Sequence, residues 1–108
     1  MLSRLIPALA ITALLGVPAV LASQHGAAEA YKEAMDKMHQ AMPMEFSGNA
    51  DADFANSMIP HHQGAIDMAE IELQYGKDPE LRQMAERIIA DQEREIAEMK
   101  AWLQKNGS

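Results

Sequence analysis

Two groups of helix-breaking residues divide residues 23–108 of this chain into three segments of helical length. Pro43 and Gly48 mark the first break, and Gly76 and Pro79 mark the second. All three segments carry apolar residues at helical spacing, and none shows the sustained alternation of a half-buried strand. The sequence therefore predicts an all-α fold, a bundle of three helices.

The residues at the boundaries of each helix predict where that helix begins and ends. The first helix covers about residues 27–42 and stops before Pro43. The second begins at Asn49 or Asp51, both good N-caps, and stops at Gly76. The apolar face of the first helix is Tyr31, Met35, Met38 and Met42.

The third helix opens with the N-cap and proline pair Asp78-Pro79 and runs to about Lys105. Its short connection to the second helix implies an antiparallel hairpin. The first helix could cap this hairpin, or two chains could pair to complete a four-helix bundle; we favour a homodimer. The apolar stripe of the third helix is Leu81, Met84, Ala85, Ile88, Ile96, Met99 and Leu103.

Residues 1–22 have the features of a cleaved secretory signal peptide. A positively charged start precedes an apolar run over residues 5–17, and Val20-Leu21-Ala22 fits the small-x-small cleavage rule. The alternative is an uncleaved membrane anchor, although the apolar run is short for a span. We expect a mature single helical domain of residues 23–108, periplasmic or secreted, with no stable membrane insertion once the signal peptide is removed.

Composition narrows the classes of function. The net charge of −7 falls to −8 when Arg4 leaves with the signal peptide, and such a surface repels nucleic acid. The chain has no cysteine, so packing, oligomerisation or metal must hold a fold this small. We find no phosphate-binding loop, cysteine nucleophile or Ser/His/Asp arrangement, and therefore expect a protein that is not an enzyme.

The second helix carries a methionine–histidine cluster. Met58 and His62 are four residues apart on one broad face with His61, and Met68 lies one heptad beyond His61. Thioether sulfur and imidazole nitrogen suit Cu(I) or Ag(I) better than Mg²⁺ or Ca²⁺, which prefer oxygen. Pro60 predicts a bend just before the histidines, which would help the donors to converge.

A second pair of donors lies on the first helix, where His39 follows Met35 by four residues. The alternative for each methionine is ordinary core packing, which we favour for Met84 and Met99. Both interpretations stay open for Met35. For the adjacent histidines of the second helix, the alternative is a partly buried pair beside the bend.

Cleavage after Ala22 would create another metal site at Ser23-Gln24-His25. The free amine, two backbone amides and the His25 imidazole form a square-planar nitrogen set that suits Cu(II). A cut displaced by one residue removes this site, and the alternative is an ordinary frayed terminus.

One combined pattern spans the second and third helices: Asp53-Phe54, residues 58–69, and then Gln92, Glu95, Ile96, Met99, Trp102 and Leu103. This pattern, over about residues 49–103, resembles the domain of unknown function 305 family. The resemblance implies a ferritin-like helical fold in an exported protein. The family includes periplasmic copper-binding proteins of the CopM type.

The resemblance also implies a ligand set and two supporting residues. Gln92 and Glu95 would lie at the seam between helices, either orienting an imidazole or bonding backbone groups that Pro60 frees. Di-iron chemistry is not expected, because no Glu-x-x-His motif occurs in the chain. The implied ligands are Met58, His61, His62 and Met68, with Met99 opposite on the third helix.

We therefore expect an exported, non-catalytic protein that binds copper, mainly as Cu(I), for copper buffering, transport or tolerance, with Ag(I) as a surrogate. The alternative is a structural or protein-interaction module that uses its methionine-rich faces for dimerisation. A melting temperature that rises with metal would separate the two, because a ligand that binds only the folded state stabilises it.

Overall fold

The computed structural model describes residues 18–107, which form three α-helices and no strand. These are α1 (Ala19–Ala41), α2 (Ala50–Tyr75) and α3 (Pro79–Asn106). The predicted all-α bundle of three helices is confirmed. None of the helices in residues 18–107 contains an apolar run sufficient to span a bilayer.

The start of α1 differs from the prediction of about residue 27. The helix begins at Ala19 and continues through the predicted cleavage point, because three of the four residues 19–22 are the strong helix formers alanine and leucine. Most of the predicted signal peptide, residues 1–17, lies outside the described residues. Its cleavage stays a prediction.

The caps predicted for α2 and α3 are confirmed. The side chain of Asn49 accepts a hydrogen bond of 3.2 Å from the Ala52 N–H, and Asp78 accepts one of 3.0 Å from the Leu81 N–H. Each bond satisfies a backbone donor that the first turn of a helix leaves free. Gly107 ends α3 in the left-handed conformation, at φ 77°.

The carboxylate of Asp53 fastens the loop between α1 and α2. It accepts hydrogen bonds from the Ser47 N–H at 2.9 Å, the Ser47 hydroxyl at 2.8 Å and the Gly48 N–H at 3.0 Å. These bonds, chiefly those from Ser47, lower the pKa of Asp53 because they favour the ionised carboxylate.

The hairpin of α2 and α3 is antiparallel, as predicted. At one end Ala52 and Ala55 form a buried cluster with Leu103, against which Ile59 and Met99 pack. Apolar burial of this kind is the main stabilising term of such a small fold.

At the other end of the hairpin, Arg82 closes the turn between the helices. Its guanidinium donates hydrogen bonds of 2.8 Å to the Leu73 carbonyl and 2.9 Å to the Gly76 carbonyl. These carbonyls belong to the end of α2, where backbone acceptors have no partner inside the helix.

Helix α1 packs on a different side of α2, through small residues. Ala34 is buried, and the side chain of Met38 lies against Gly64, where an added Cβ would come within 2.5 Å of the Met38 sulfur. The apolar face predicted for α1 is therefore partly wrong, since Tyr31 and Met35 are exposed. The close approach at Gly64 selects Ala34 and Met38 as the contact residues instead.

The core of the single chain is small. The buried apolar residues include five alanines, and no large side chain among the described residues is fully buried. Several large apolar side chains of α2 and α3 remain exposed, including Phe54, Leu81, Met84 and Trp102. Leu81 and Met84, two of the seven residues of the stripe predicted for α3, are thus exposed within one chain.

Candidate metal centre

His62 lies at the seam between α2 and α3. It is 9% exposed, and its Nε2 forms a short hydrogen bond with the carboxylate of Glu95. An ionised carboxylate can only accept, so Nε2 carries the proton and donates it. In the neutral ring, Nδ1 then holds an unshared electron pair. Nδ1 is buried and has no hydrogen-bond partner among the described residues.

The second histidine of the pair has a different environment. His61 is exposed, and its ring centre lies 6.3 Å from that of His62 with the ring planes 60° apart. The two imidazoles therefore occupy the same level of α2, one in the seam and one at the surface.

Two of the predicted thioether ligands lie one turn away from the His62–Glu95 pair. Met58 precedes His62 by four residues on α2, and Met99 follows Glu95 by four residues on α3. Because the two helices are antiparallel, Met58 and Met99 lie at the same level of the hairpin. Both are half-buried, and Met99 contacts the apolar cluster at that end.

Met68, in contrast, lies in a separate part of the hairpin. It lines an apolar groove with Leu81, Met84 and Ile88. Seven residues separate Met68 from His61, or about 10 Å along the helix axis. The structure therefore places Met68 with the groove and not with Met58 and Met99.

The predicted ligands on α1 lie apart from this centre. Met35 and His39 are exposed, and each is one residue beyond a residue that contacts α2, about 100° further around the helix. His25 is also exposed and lies in the first half of α1. Its square-planar set needs the free amine that only cleavage after Ala22 would provide.

The donors present decide which ions could fit. Within residues 18–107, no three His, Asp or Glu side chains lie close enough together to hold a metal ion. A site at His62 must therefore include thioether sulfur, from Met58 or Met99. Sulfur with imidazole nitrogen fits a soft monovalent ion, and it does not fit Mg²⁺ or Ca²⁺.

Periodicity alone did not identify Glu95 as the partner of His62. Gln92 interrupts the apolar stripe of α3 and Glu95 borders the same face, and these two polar residues are the available signal. The pairing itself depends on how α2 and α3 align, since the two residues are 33 positions apart.

Met58 and His61 also belong to a larger apolar surface. Ala55 and His62 of α2 pack on the side of α3, near Leu103 and Glu95, whereas Gly64 and Ile71 lie on the side of α1. One face of the hairpin, formed by α2 and α3 together, is not covered by α1. We call it the open face. The acidic side chains of Asp51, Glu72 and Glu98 border it. It comprises Phe54, Ala65 and Met68 of α2, by helical spacing also Met58 and His61 of α2, and Leu81, Met84, Ile88, Met99 and Trp102 of α3.

Comparison with known proteins places this chain in a wider group. Over 53 residues the chain is 43% identical to uncharacterized protein L153 of Acanthamoeba polyphaga mimivirus, a match that covers 49% of this chain and 35% of that protein. The chain thus matches about a third of the length of this relative. A domain of unknown function, DUF305, matches residues 15–103, most of the chain, and the chain belongs to this family.

Proposed function

We propose that this protein is an exported, non-catalytic metal-binding protein that holds Cu(I) or Ag(I) at His62 for copper buffering, transport or tolerance. His62 Nδ1 would supply imidazole nitrogen, and Met58 and Met99 would supply thioether sulfur. His61 would join from the surface of α2.

The observation that carries this proposal is that the buried Nδ1 of His62 has no hydrogen-bond partner among the described residues, while Nε2 is bonded to Glu95. A buried polar atom without a partner destabilises a folded protein, so such atoms are rare. Glu95 fixes the tautomer in which Nδ1 keeps a free electron pair. The carboxylate–histidine arrangement is the one that commonly orients and strengthens a histidine ligand to a metal.

Softness of the donors supports the choice of ion. Thioethers bind Cu(I) and Ag(I) but bind hard cations poorly, and the chain has no thiol to compete for them. The acidic chain would also attract cations weakly at long range. The predicted signal peptide is the basis for the exported location.

A competition titration with a Cu(I)-specific chelator tests the proposal. The double variant Met58→Leu/His61→Ala removes two donors beside His62, and we expect its Cu(I) affinity to fall at least tenfold. The matched control Met44→Leu/His39→Gln removes the same residue types elsewhere, and should bind as the wild type does. Equal affinity of the wild type and the first variant would refute the site.

A separate measurement addresses the predicted Cu(II) site at His25. Intact mass of the secreted chain reports whether cleavage occurs after Ala22. If it does, a His25→Gln variant should lose the visible absorption of square-planar Cu(II) while its Cu(I) affinity is unchanged.

The open face favours a second candidate function, that of a protein-interaction module, with a homodimer as the predicted partner. A continuous apolar surface along one side of a small domain is typical of a surface that contacts another protein. The two functions are compatible, because the donors proposed for the metal lie beside and partly on this face.

A further inference from the structure

The open face has an aromatic end and an aliphatic end, and each end carries a groove. At the aromatic end, Phe54 is 62% exposed and Trp102 is 37% exposed, and they line a groove of about 390 Å³ that Asp51 and Glu98 border. At the aliphatic end, Leu81, Met84 and Ile88 surround a second groove whose floor includes Ala69 and Ala85, both buried. This second groove has a volume of about 260 Å³. A protein cavity of about 150 Å³ already accepts benzene, so an aromatic side chain would fit here.

The two ends lie at equal distances from one level of the hairpin. On α2, Phe54 and Met68 are each seven residues from His61. On α3, Trp102 and Ile88 are each seven residues from Glu95. The His62–Glu95 contact shows that these midpoints lie at the same level of the hairpin. A half-turn about that level therefore brings the aromatic end of the face onto the aliphatic groove of a second copy.

We propose that a second copy of this chain docks on the open face, related by a two-fold axis that crosses α2 and α3 at His61 and Glu95. The axis runs perpendicular to the helices within the interface. It places Phe54 of each copy on the groove beside Met68 of the partner, and Trp102 beside the partner's Ile88. A two-fold interface requires this kind of self-complementarity.

The resulting assembly has the geometry of a known stable architecture. Helix α2 packs antiparallel on its counterpart, and α3 does the same, which gives a four-helix bundle built from two hairpins. The exposed apolar side chains that one chain leaves uncovered become its core. Each α1 stays on the outside, because it packs on the side of α2 away from the open face.

The size of the face reaches the lower limit for a specific dimer interface. It extends along α2 from Phe54 to Glu72, a rise of about 27 Å, and two helix diameters make it roughly 20 Å wide. This corresponds to about 500 Å² of footprint on each copy, or about 1,000 Å² in total, the lower size of specific interfaces.

The same axis would complete the proposed metal centre. It brings His61 of one copy opposite His61 of the other, with Met58 of each copy one turn away along α2. Dimerisation itself needs no metal, since apolar burial drives it. If the protein binds no metal, the proposed dimer is therefore not contradicted. If the protein is monomeric, the metal site proposed at His62 within one chain is not contradicted.

Sedimentation equilibrium in the presence of a chelator tests the interface. We expect the wild-type chain to have twice the chain mass at micromolar concentration. Phe54→Lys and Met68→Glu should each raise the dimer dissociation constant at least tenfold, because each leaves a charge against an apolar partner surface. Met44→Lys is the control, since Met44 is 97% exposed and lies outside the open face.

Mixing the two variants tests the register. In a mixed dimer of Phe54→Lys with Met68→Glu, the introduced ammonium of one copy meets the introduced carboxylate of the other, and the second contact is native. We expect native mass spectrometry to show a heterodimer, whereas neither variant pairs with itself. A monomeric wild type, leaving the face to a different partner, would overturn the proposal. A dimer that Phe54→Lys does not weaken would also overturn it. The third contradicting result is that the two variants, shown by circular dichroism to be folded, form no heterodimer when mixed.

Discussion

His62 of α2 donates a hydrogen bond from Nε2 to Glu95 of α3, and this bond leaves its Nδ1 buried without a partner among the described residues. One contact thus joins the two helices and fixes the tautomer of the ring. It is the only side-chain hydrogen bond between α2 and α3 in residues 18–107 that joins two titratable groups.

Replacement of Glu95 by leucine tests the structural part of this relationship. The variant keeps much of the side-chain volume but leaves His62 Nε2 without its acceptor. We expect a loss of about 1 kcal/mol in the free energy of unfolding, at the low end for a buried group because Glu95 is 42% exposed and water can partly replace it. Chemical denaturation measures the loss, and Glu98→Leu, one turn further along α3, is the control.

The same variant tests whether Glu95 positions the ring for metal. With no carboxylate to hold the tautomer, Cu(I) affinity should fall although no proposed ligand is removed. Glu95→Gln, whose amide oxygen can still accept from Nε2, should retain most of the affinity. Equal loss in both variants would contradict the positioning role.

The contact between Met38 and Gly64 sets the distance between α1 and α2. An alanine at position 64 gains about 1 kcal/mol of helix propensity, but its Cβ would lie 2.5 Å from the Met38 sulfur and 3.0 Å from its Cγ. We expect Gly64→Ala to destabilise the wild type by about 1 kcal/mol, as overpacking does.

A double-mutant cycle isolates this effect. In a Met38→Ala background the sulfur and Cγ are gone and only the Cβ contact of 3.3 Å remains, so Gly64→Ala should stabilise the protein by up to about 1 kcal/mol. Urea denaturation of the four proteins gives the coupling energy. Equal effects of Gly64→Ala in both backgrounds would show that the two helices do not meet at these residues.

Asp53 makes the stability of the loop depend on pH. Its pKa is lowered in the folded chain by the hydrogen bonds from Ser47 and Gly48. The contribution is therefore fully present above the pKa of the unfolded chain and is lost as the pH falls through the folded pKa, below about pH 4.

Asp53→Asn should remove this contribution at all pH values. We expect its melting temperature to lie below that of the wild type at pH 7, and the difference to shrink as the pH falls to about 3, below the usual pKa of an aspartate. Asp51→Asn changes the same charge in the first turn of α2 without touching these hydrogen bonds, and it serves as the control. A difference that stays constant over this pH range would contradict the assignment.

The residues at the helix ends explain how much could be predicted from the sequence. Asn49, Asp78-Pro79 and Gly107 act through local hydrogen bonds and backbone geometry, so the ends of α2 and α3 were predicted nearly correctly. The contact face of α1 was not, because Gly64 lies on another helix and its influence is visible only once the helices pack.

The candidate site was predictable in type but not in arrangement. The spacing of Met58 and His62 placed sulfur and nitrogen donors on one helix face. Which histidine would be buried depended on the position of α3, and so did the partner of its ring. Met68 and Met99 lie at different levels of the hairpin. Their separation depends on how α2 and α3 align, and the periodicity of a single helix does not give this alignment.

Thermal unfolding links metal binding to the fold. At a free Ag(I) concentration about 100 times the dissociation constant, binding to the folded state alone adds about 2.7 kcal/mol. For a domain of this size the melting temperature should rise by roughly 10 °C or more. Met58→Leu/His61→Ala should show less than half of this rise, and an equal rise in that variant would place the metal elsewhere.

The most direct measurement of the central claim is the ¹⁵N chemical shift of the His62 ring, followed by NMR during titration with Ag(I). We expect the Nδ1 resonance to begin at the position of an unprotonated nitrogen and to move strongly upfield once one equivalent of Ag(I) has been added. The Nε2 resonance should remain that of a protonated nitrogen that is hydrogen-bonded to Glu95. If one equivalent of Ag(I) binds and Nδ1 of His62 does not move, His62 is not the ligand and the account of the site is wrong.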